Sequence, residues 1–175
     1  VRCIEHAQLA DEETARLAAK EGVWWSMQPL LDDEDAVHFP EGSANRAKQI
    51  EMTGGTDKAY GYAKKYGVKL AWGTDALFDS ALTAREGKQL AKMTRWFTPA
   101  QVLRMATHDN ATLLALSGPR NPYPGRLGVI EEGALADLVL VDGNPLENIS
   151  LVATPETSFV VIMKDGRIYK NTLED

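Results

Sequence analysis

Three short apolar runs constrain this chain more than anything else in it. They are Val1-Arg2-Cys3-Ile4-Glu5-His6, Val23-Trp24-Trp25-Ser26-Met27-Gln28 and Val68-Lys69-Leu70-Ala71-Trp72-Gly73. Each is too short for a helix, is rich in β-branched and aromatic residues, and is separated from the next by a segment with helix signals. Strands that alternate with helices build parallel βαβ units, so the first part of the chain is expected to be α/β with a parallel sheet.

Local signals place the helices. Asp11 is a cap for a helix that opens with Glu12 and Glu13 and stops at Gly22, with Lys20 in its last turn. Pro29 ends the second strand. Residues 30–43 read as a long acidic loop containing Asp32, Asp33, Glu34 and Asp35. A helical stretch runs from Ala44 to about Met52, breaks at Gly54-Gly55 and resumes to Tyr66, with Gly67 as its stop. Residues 83–97 read as helical. Thr98-Pro99 opens a further helix to about Thr107, and Asp109 is expected to cap the next one, which ends near Leu116.

The texture changes at Pro119-Arg120-Asn121-Pro122-Tyr123-Pro124-Gly125, a Pro-rich linker. Strand-like runs follow at Leu127-Gly128-Val129-Ile130, Leu138-Val139-Leu140-Val141 and Phe159-Val160-Val161-Ile162-Met163. Asp165-Gly166 signals a hairpin into Ile168-Tyr169. The expected organisation is therefore an α/β segment over 1–118 and a linker with a small β unit over 119–175.

Composition excludes several classes. The net charge is −6 with no basic cluster, which argues against nucleic acid as the main partner. No apolar run approaches the roughly 20 residues that span a bilayer. Cys3 is the single cysteine of the 175 residues, so no intrachain disulfide or cysteine-based zinc site can form. The glycines make no phosphate-binding pattern, and there is no Gly-x-Ser-x-Gly elbow. Residues 1–6 carry no signal-peptide pattern and read as a core strand.

Two residues at strand ends carry the chemistry. His6 follows the first strand, and Asp75, in Gly73-Thr74-Asp75-Ala76, follows the third. In a parallel α/β barrel functional side chains sit at the C-terminal ends of strands, so both would face one cavity. Imidazole and carboxylate are a partial ligand set for Zn²⁺ or a similar divalent ion. Taken singly, each also fits a structural role, the His as a satisfied polar residue and the Asp as a turn or cap.

In combination the motifs resemble the C-terminal portion of the amidohydrolase superfamily, in the branch of imidazolonepropionases and Xaa-Pro dipeptidases. Ile4-Glu5-His6 is similar to that branch's sixth barrel strand and Gly73-Thr74-Asp75-Ala76 to its eighth. Thr98-Pro99-Ala100-Gln101-Val102-Leu103, with Ala106-Thr107 and Asn110-Ala111, resembles the helices after the barrel. The segment from Gly128 through Asp137-Leu138-Val139-Leu140-Val141-Asp142-Gly143-Asn144-Pro145-Leu146 resembles the family's β-sandwich, as does the segment from Val161 through Lys164-Asp165-Gly166-Arg167 to Lys170.

The resemblance implies the last three strands of a (β/α)₈ barrel followed by part of a β-sandwich. It also implies hydrolysis of a C–N bond in an amide, peptide or cyclic amide, with a dipeptide or other small molecule as substrate. His6 and Asp75 are then metal ligands, and Asp75 is the catalytic residue that carries a proton to the leaving nitrogen. Gln28 and His38 are expected to line the substrate pocket. The family's first-strand histidine pair, fourth-strand lysine and fifth-strand histidine have no counterpart here. One or two ions in an intact enzyme, and none in this chain, all stay open. A deaminase of the same superfamily and a catalytically inactive assembly module are the alternatives. Such a portion would expose strand edges and an apolar sheet face, so self-association or pairing with an N-terminal portion is expected. Size-exclusion chromatography checks this: associated species are expected, and a compact stable monomer would contradict it.

Overall fold

The computed structural model describes residues 1–37, 39–76 and 80–173. By internal contacts the chain gathers into two compact units, Val1–Thr83 and Ala84–Asp175. The division falls within the first of the two expected segments.

The first unit is a βαβαβ arrangement: β1 (Cys3–Glu5), α1 (Glu12–Glu21), β2 (Trp24–Met27), α2 (Ala44–Tyr66) and β3 (Lys69–Trp72). The strands form one parallel sheet in the order β1-β2-β3. Glu5 pairs with Ser26, and Met27 with Trp72, so all three strands end close to one level. Central β2 is the apolar keel. Trp25 and Met27 are fully buried, and Trp24 nearly so. The sheet is short and open, and no closed barrel forms among the described residues.

The helix ends follow their signals. The Asp11 side chain accepts from the Thr14 N–H, and Gly22 closes α1 in the left-handed region at φ 65°. Ser43 caps α2 and Gly67 closes it at φ 70°. Glu12 ties the two helices together, accepting from Tyr66 Oη at 2.7 Å and from Lys65 Nζ.

The expected break at Gly54-Gly55 does not occur: α2 is continuous for 23 residues. Gly55 is the reason. A Cβ there would lie 2.3 Å from the carbonyl oxygen of Gln8, whereas one at Gly54 would meet nothing within 4 Å. The helix accepts the glycine's weak propensity because its backbone must approach the turn that follows β1.

The first unit closes with α3 (Ser80–Thr83); in the second, the expected long helix over 83–97 resolves into α4 (Glu86–Lys92) and a 3₁₀ turn. Gly87 presses its backbone on the Val152 carbonyl, where a Cβ would lie at 1.9 Å. Next, α5 (Pro99–Arg104) starts with a full Thr98–Gln101 capping box. It runs through a π-helical turn, Met105–Asp109, into α6 (Asn110–Ala115) without a stop. Asp109 therefore caps nothing; its backbone is helical at φ −73°, ψ −39°.

A three-stranded antiparallel sheet follows: β4 (Leu138–Val141), β5 (Phe159–Lys164) and β6 (Arg167–Asn171), with the four-residue helix α7 (Pro155–Ser158) leading into β5. Asp165 and Gly166 turn the β5–β6 hairpin with φ values of 49° and 74°. The run at 127–130 forms no strand, since Gly128 takes φ 72° and packs against the Thr107 carbonyl. Where part of a β-sandwich was expected, the described residues form one antiparallel sheet, and Val139, Leu140, Ile168 and Tyr169 remain about half exposed or more.

Cys3 in β1 donates from Sγ to Glu5 Oε1 at 3.2 Å. Burial and the Glu5 carboxylate push its pKa up to about 12, so the thiol stays protonated.

Two predictions follow from these packing details. Gly55→Ala is expected to destabilise the fold by about 1–3 kcal/mol through overpacking. Gly54→Ala is expected to stabilise it by up to about 1 kcal/mol through helix propensity. Thermal or denaturant unfolding reads both, and equal effects at the two positions would contradict the close approach. At about pH 8.5, alkylation of Cys3 in the native chain is expected to be at least roughly a hundredfold slower than in the unfolded chain. Equal rates would contradict the depressed ionisation.

Candidate metal centre

The ladder positions His6. Its backbone N–H donates to the Ser26 carbonyl at 3.1 Å, the last rung of the β1–β2 pairing. The chain then turns sharply, with His6 in the left-handed region at φ 58°, ψ 51°, and enters a 3₁₀ turn at Ala7–Leu9. Asp75 is placed in a parallel way. Gly73 N–H donates to the Met27 carbonyl at 3.3 Å, and Asp75, two residues on, takes φ 56°. Outside glycine, positive φ costs of order 1–3 kcal/mol and concentrates at functional sites. Only one other described non-glycine residue, hairpin Asp165, shares it.

These turns bring the two side chains together. His6 Nε2 lies 3.8 Å from Asp75 Oδ2, and both side chains are about half exposed, at 55% and 42%. That separation exceeds hydrogen-bond reach. It is close to the roughly 3.4 Å between two donors that each sit about 2.1 Å from one tetrahedral ion. Neighbouring strands are about 4.8 Å apart, so β1 and β3 are roughly twice that distance from each other. The two side chains reach across the end of β2 to meet.

Gln28 occupies that end. It is buried, at 4% exposure, and its Oε1 lies 3.0 Å from His6 Nδ1. Gln8, at 1% exposure in the turn after His6, donates from Nε2 to Gln28 Oε1 at 3.0 Å and to the Gln28 backbone carbonyl at 3.3 Å. Gln8 Oε1 is buried and has no hydrogen-bond partner among the described residues, a cost of about 1–3 kcal/mol. Gln28 therefore faces His6 from within the protein. Gln8 was not foreseen, since a glutamine two residues beyond a strand ordinarily reads as a solvated turn residue.

His38 lies outside the described residues. Described residues before and after it are tied to α2. Arg46 makes a two-pronged contact with Asp32 at 2.5 and 3.0 Å and bonds Glu41 at 2.9 Å. Gln49 Nε2 donates to the Val37 carbonyl at 2.6 Å, and Thr56 Oγ1 to the Leu30 carbonyl at 2.6 Å. Asp32 is thus an ion-pair partner, not simply a solvated loop residue. In the second unit His108 Nδ1 meets its neighbour Asp109 at 2.8 Å, and Arg104 Nε joins the same carboxylate at 3.2 Å, a local surface cluster.

The donor chemistry of His6 and Asp75 fits a divalent cation. Among the described residues no group of three or more His, Cys, Asp or Glu side chains converges on one point. With its pKa raised, the Cys3 thiol is a poor ligand and a poor nucleophile.

Comparison with known proteins identifies relatives of this chain. An amidohydrolase family model matches residues 1–171. Ochratoxinase from Aspergillus niger is 31% identical over 171 residues, which is 97% of this chain and 34% of that protein. The crystal structure of a prolidase complexed with N-methylphosphonate-L-proline superposes with a TM-score of 0.82 at 28% identity, over 98% of this chain and 41% of that one. An Xaa-Pro dipeptidase with methionine bound in its active site gives 0.78 at 28% identity, over 98% and 40%. The chain spans a third to two-fifths of the length of these relatives. With the family model matched along nearly its whole length, this chain belongs to the amidohydrolase family.

Proposed function

We propose that this chain supplies one side of a metal-dependent centre that hydrolyses a C–N bond, in the manner of an Xaa-Pro dipeptidase acting on dipeptides or similar small amides. The observation that carries the reading is the 3.8 Å approach of His6 Nε2 to Asp75 Oδ2 across the end of β2. The relatives named prolidase, Xaa-Pro dipeptidase and ochratoxinase support the class of bond. The three parallel strands take the place of the last three of a (β/α)₈ barrel, which needs about 250 residues in full.

Each residue has a distinct task. His6 offers the Nε2 lone pair as a ligand. Asp75 offers one carboxylate oxygen as a ligand, takes a proton from the attacking water and returns it to the leaving nitrogen, a sequence that suits a carboxylate because it can ligate and titrate. A divalent ion held there, zinc by donor type, supplies Lewis-acid polarisation of the scissile carbonyl and a more acidic water. Gln28, whose amide is turned towards His6, serves the ligand more directly than the substrate.

A hydrolytic zinc centre ordinarily uses three protein ligands and one open position, and the described residues bring two together. The chain on its own is accordingly proposed to bind zinc without turning over substrate. Zinc titration is the test. His6→Ala and Asp75→Asn are each expected to weaken zinc binding by at least about tenfold, the lower bound for loss of an outer ligand partner. Zinc affinity unchanged in both variants would overturn the shared site, and absence of zinc binding by the parent chain would favour the assembly-module alternative. Hydrolysis of Xaa-Pro dipeptides by the chain alone would contradict its proposed incompleteness.

A further inference from the structure

We infer that Gln8 and Gln28 are positioning residues that fix which nitrogen of His6 carries the proton. The inference deepens the metal-site reading above and rests on it for its purpose, though not for its geometry. Three groups stand in a row: the Gln8 amide, the Gln28 amide and the His6 imidazole. Each could in principle point either way, because an amide presents a donor at one end and an acceptor at the other, and a neutral imidazole can carry its proton on either nitrogen.

One group removes that freedom. The backbone carbonyl of Gln28 can only accept, and it lies 3.3 Å from the Gln8 side-chain amide. The atom facing it must be Gln8 Nε2. The reverse orientation would set the Gln8 oxygen against a carbonyl oxygen, acceptor to acceptor. The same Gln8 Nε2 lies 3.0 Å from the Gln28 side chain, so the Gln28 atom there must be the acceptor Oε1. Gln28 Oε1 in turn lies 3.0 Å from His6 Nδ1. An acceptor facing Nδ1 requires that Nδ1 carry the proton. Nε2 is left with its lone pair, on the side that faces Asp75 at 3.8 Å.

The direction of every proton thus propagates from one carbonyl to a ligand nitrogen three groups away. The ordering has a cost. In this orientation Gln8 leaves its own buried Oε1 without a partner among the described residues. Turning the amide would not remedy that, because the oxygen would then meet the carbonyl. The orphaned acceptor is what the directional chain demands.

A histidine ligand binds a cation through an unprotonated nitrogen, and the partner on its other nitrogen selects the tautomer and orients the ring. The row therefore prepares His6 as a ligand before any ion arrives. Gln28 has no need to touch the ion, and Gln8 no need to touch His6.

The test is nitrogen NMR of the His6 imidazole in the metal-free chain, under conditions where imidazoles are neutral. The expected spectrum shows a protonated Nδ1 and an unprotonated Nε2. A dominant Nε2–H form would overturn the inference, whatever the variants do. Gln28→Met removes the acceptor, and Gln8→Met frees the Gln28 amide to turn. Each is expected to shift the tautomer ratio by roughly tenfold towards Nε2–H, the worth of about one net hydrogen bond. A folded Gln8→Met chain with the parent ratio would overturn the anchoring role of Gln8. A purely structural glutamine would leave the ratio unmoved. Adding zinc separates the two readings. A shift confined to His6 Nε2 supports the metal-site reading, while a protonated Nδ1 with no response to zinc would overturn the metal-site reading and leave the proton ordering standing.

Discussion

The parallel register of β1, β2 and β3 is the constraint on which the site depends. Because Glu5, Ser26 and the Met27–Trp72 pair end near one level, three side chains emerge from one edge of the sheet: His6, Gln28 and Asp75. A slip of one residue in either pairing would turn every side chain of that strand to the opposite face. The order β1-β2-β3 also puts Gln28 between the other two. His6 and Asp75 can meet only across it, and Gln28 is buried there because β2 is the strand covered on both sides, with Trp25 and Met27 fully enclosed.

The turns beyond the strands convert register into a site. Beyond β1 and β3, His6 and Asp75 take left-handed backbone without being glycine, and they are the residues whose side chains approach each other. Close packing locks the first of these turns. Gly55 of α2 sits against the Gln8 carbonyl, so the helix that crosses between β2 and β3 also fixes the 3₁₀ turn carrying Gln8. The helix, the turn and the imidazole are coupled through contacts that leave little slack. Arg46 and Gln49 of the same helix pin the loop after β2.

Much of this was legible in the sequence where the signal was local. Asp11 and Thr98 accept from backbone N–H groups at helix starts, and Gly22 and Gly67 stop helices, because capping is decided within three or four residues. His6 and Asp75 stood out as polar residues at the ends of apolar runs, and the structure brings their side chains within 3.8 Å of each other. What failed was decided by contacts distant in sequence. Gly54-Gly55 looked like a break, yet Gly55 is where a helix meets a backbone nearly fifty residues away. Asp109 looked like a cap, but the π turn at Met105–Asp109 carries the helix past it. Gly128, backed against Thr107, bent a run that reads as a strand. Gln8 gave no signal at all, since its role exists only once β2 has delivered Gln28 beside it.

The central claim is that His6 and Asp75 hold one cation between them. X-ray absorption at the zinc edge of the zinc-loaded chain tests it most directly. The account predicts an imidazole nitrogen and a carboxylate oxygen at about 2.0–2.2 Å, with the imidazole signature lost in His6→Ala. A shell of water oxygens alone, a sulfur at about 2.3 Å from Cys3, or a spectrum that does not change in His6→Ala would contradict it.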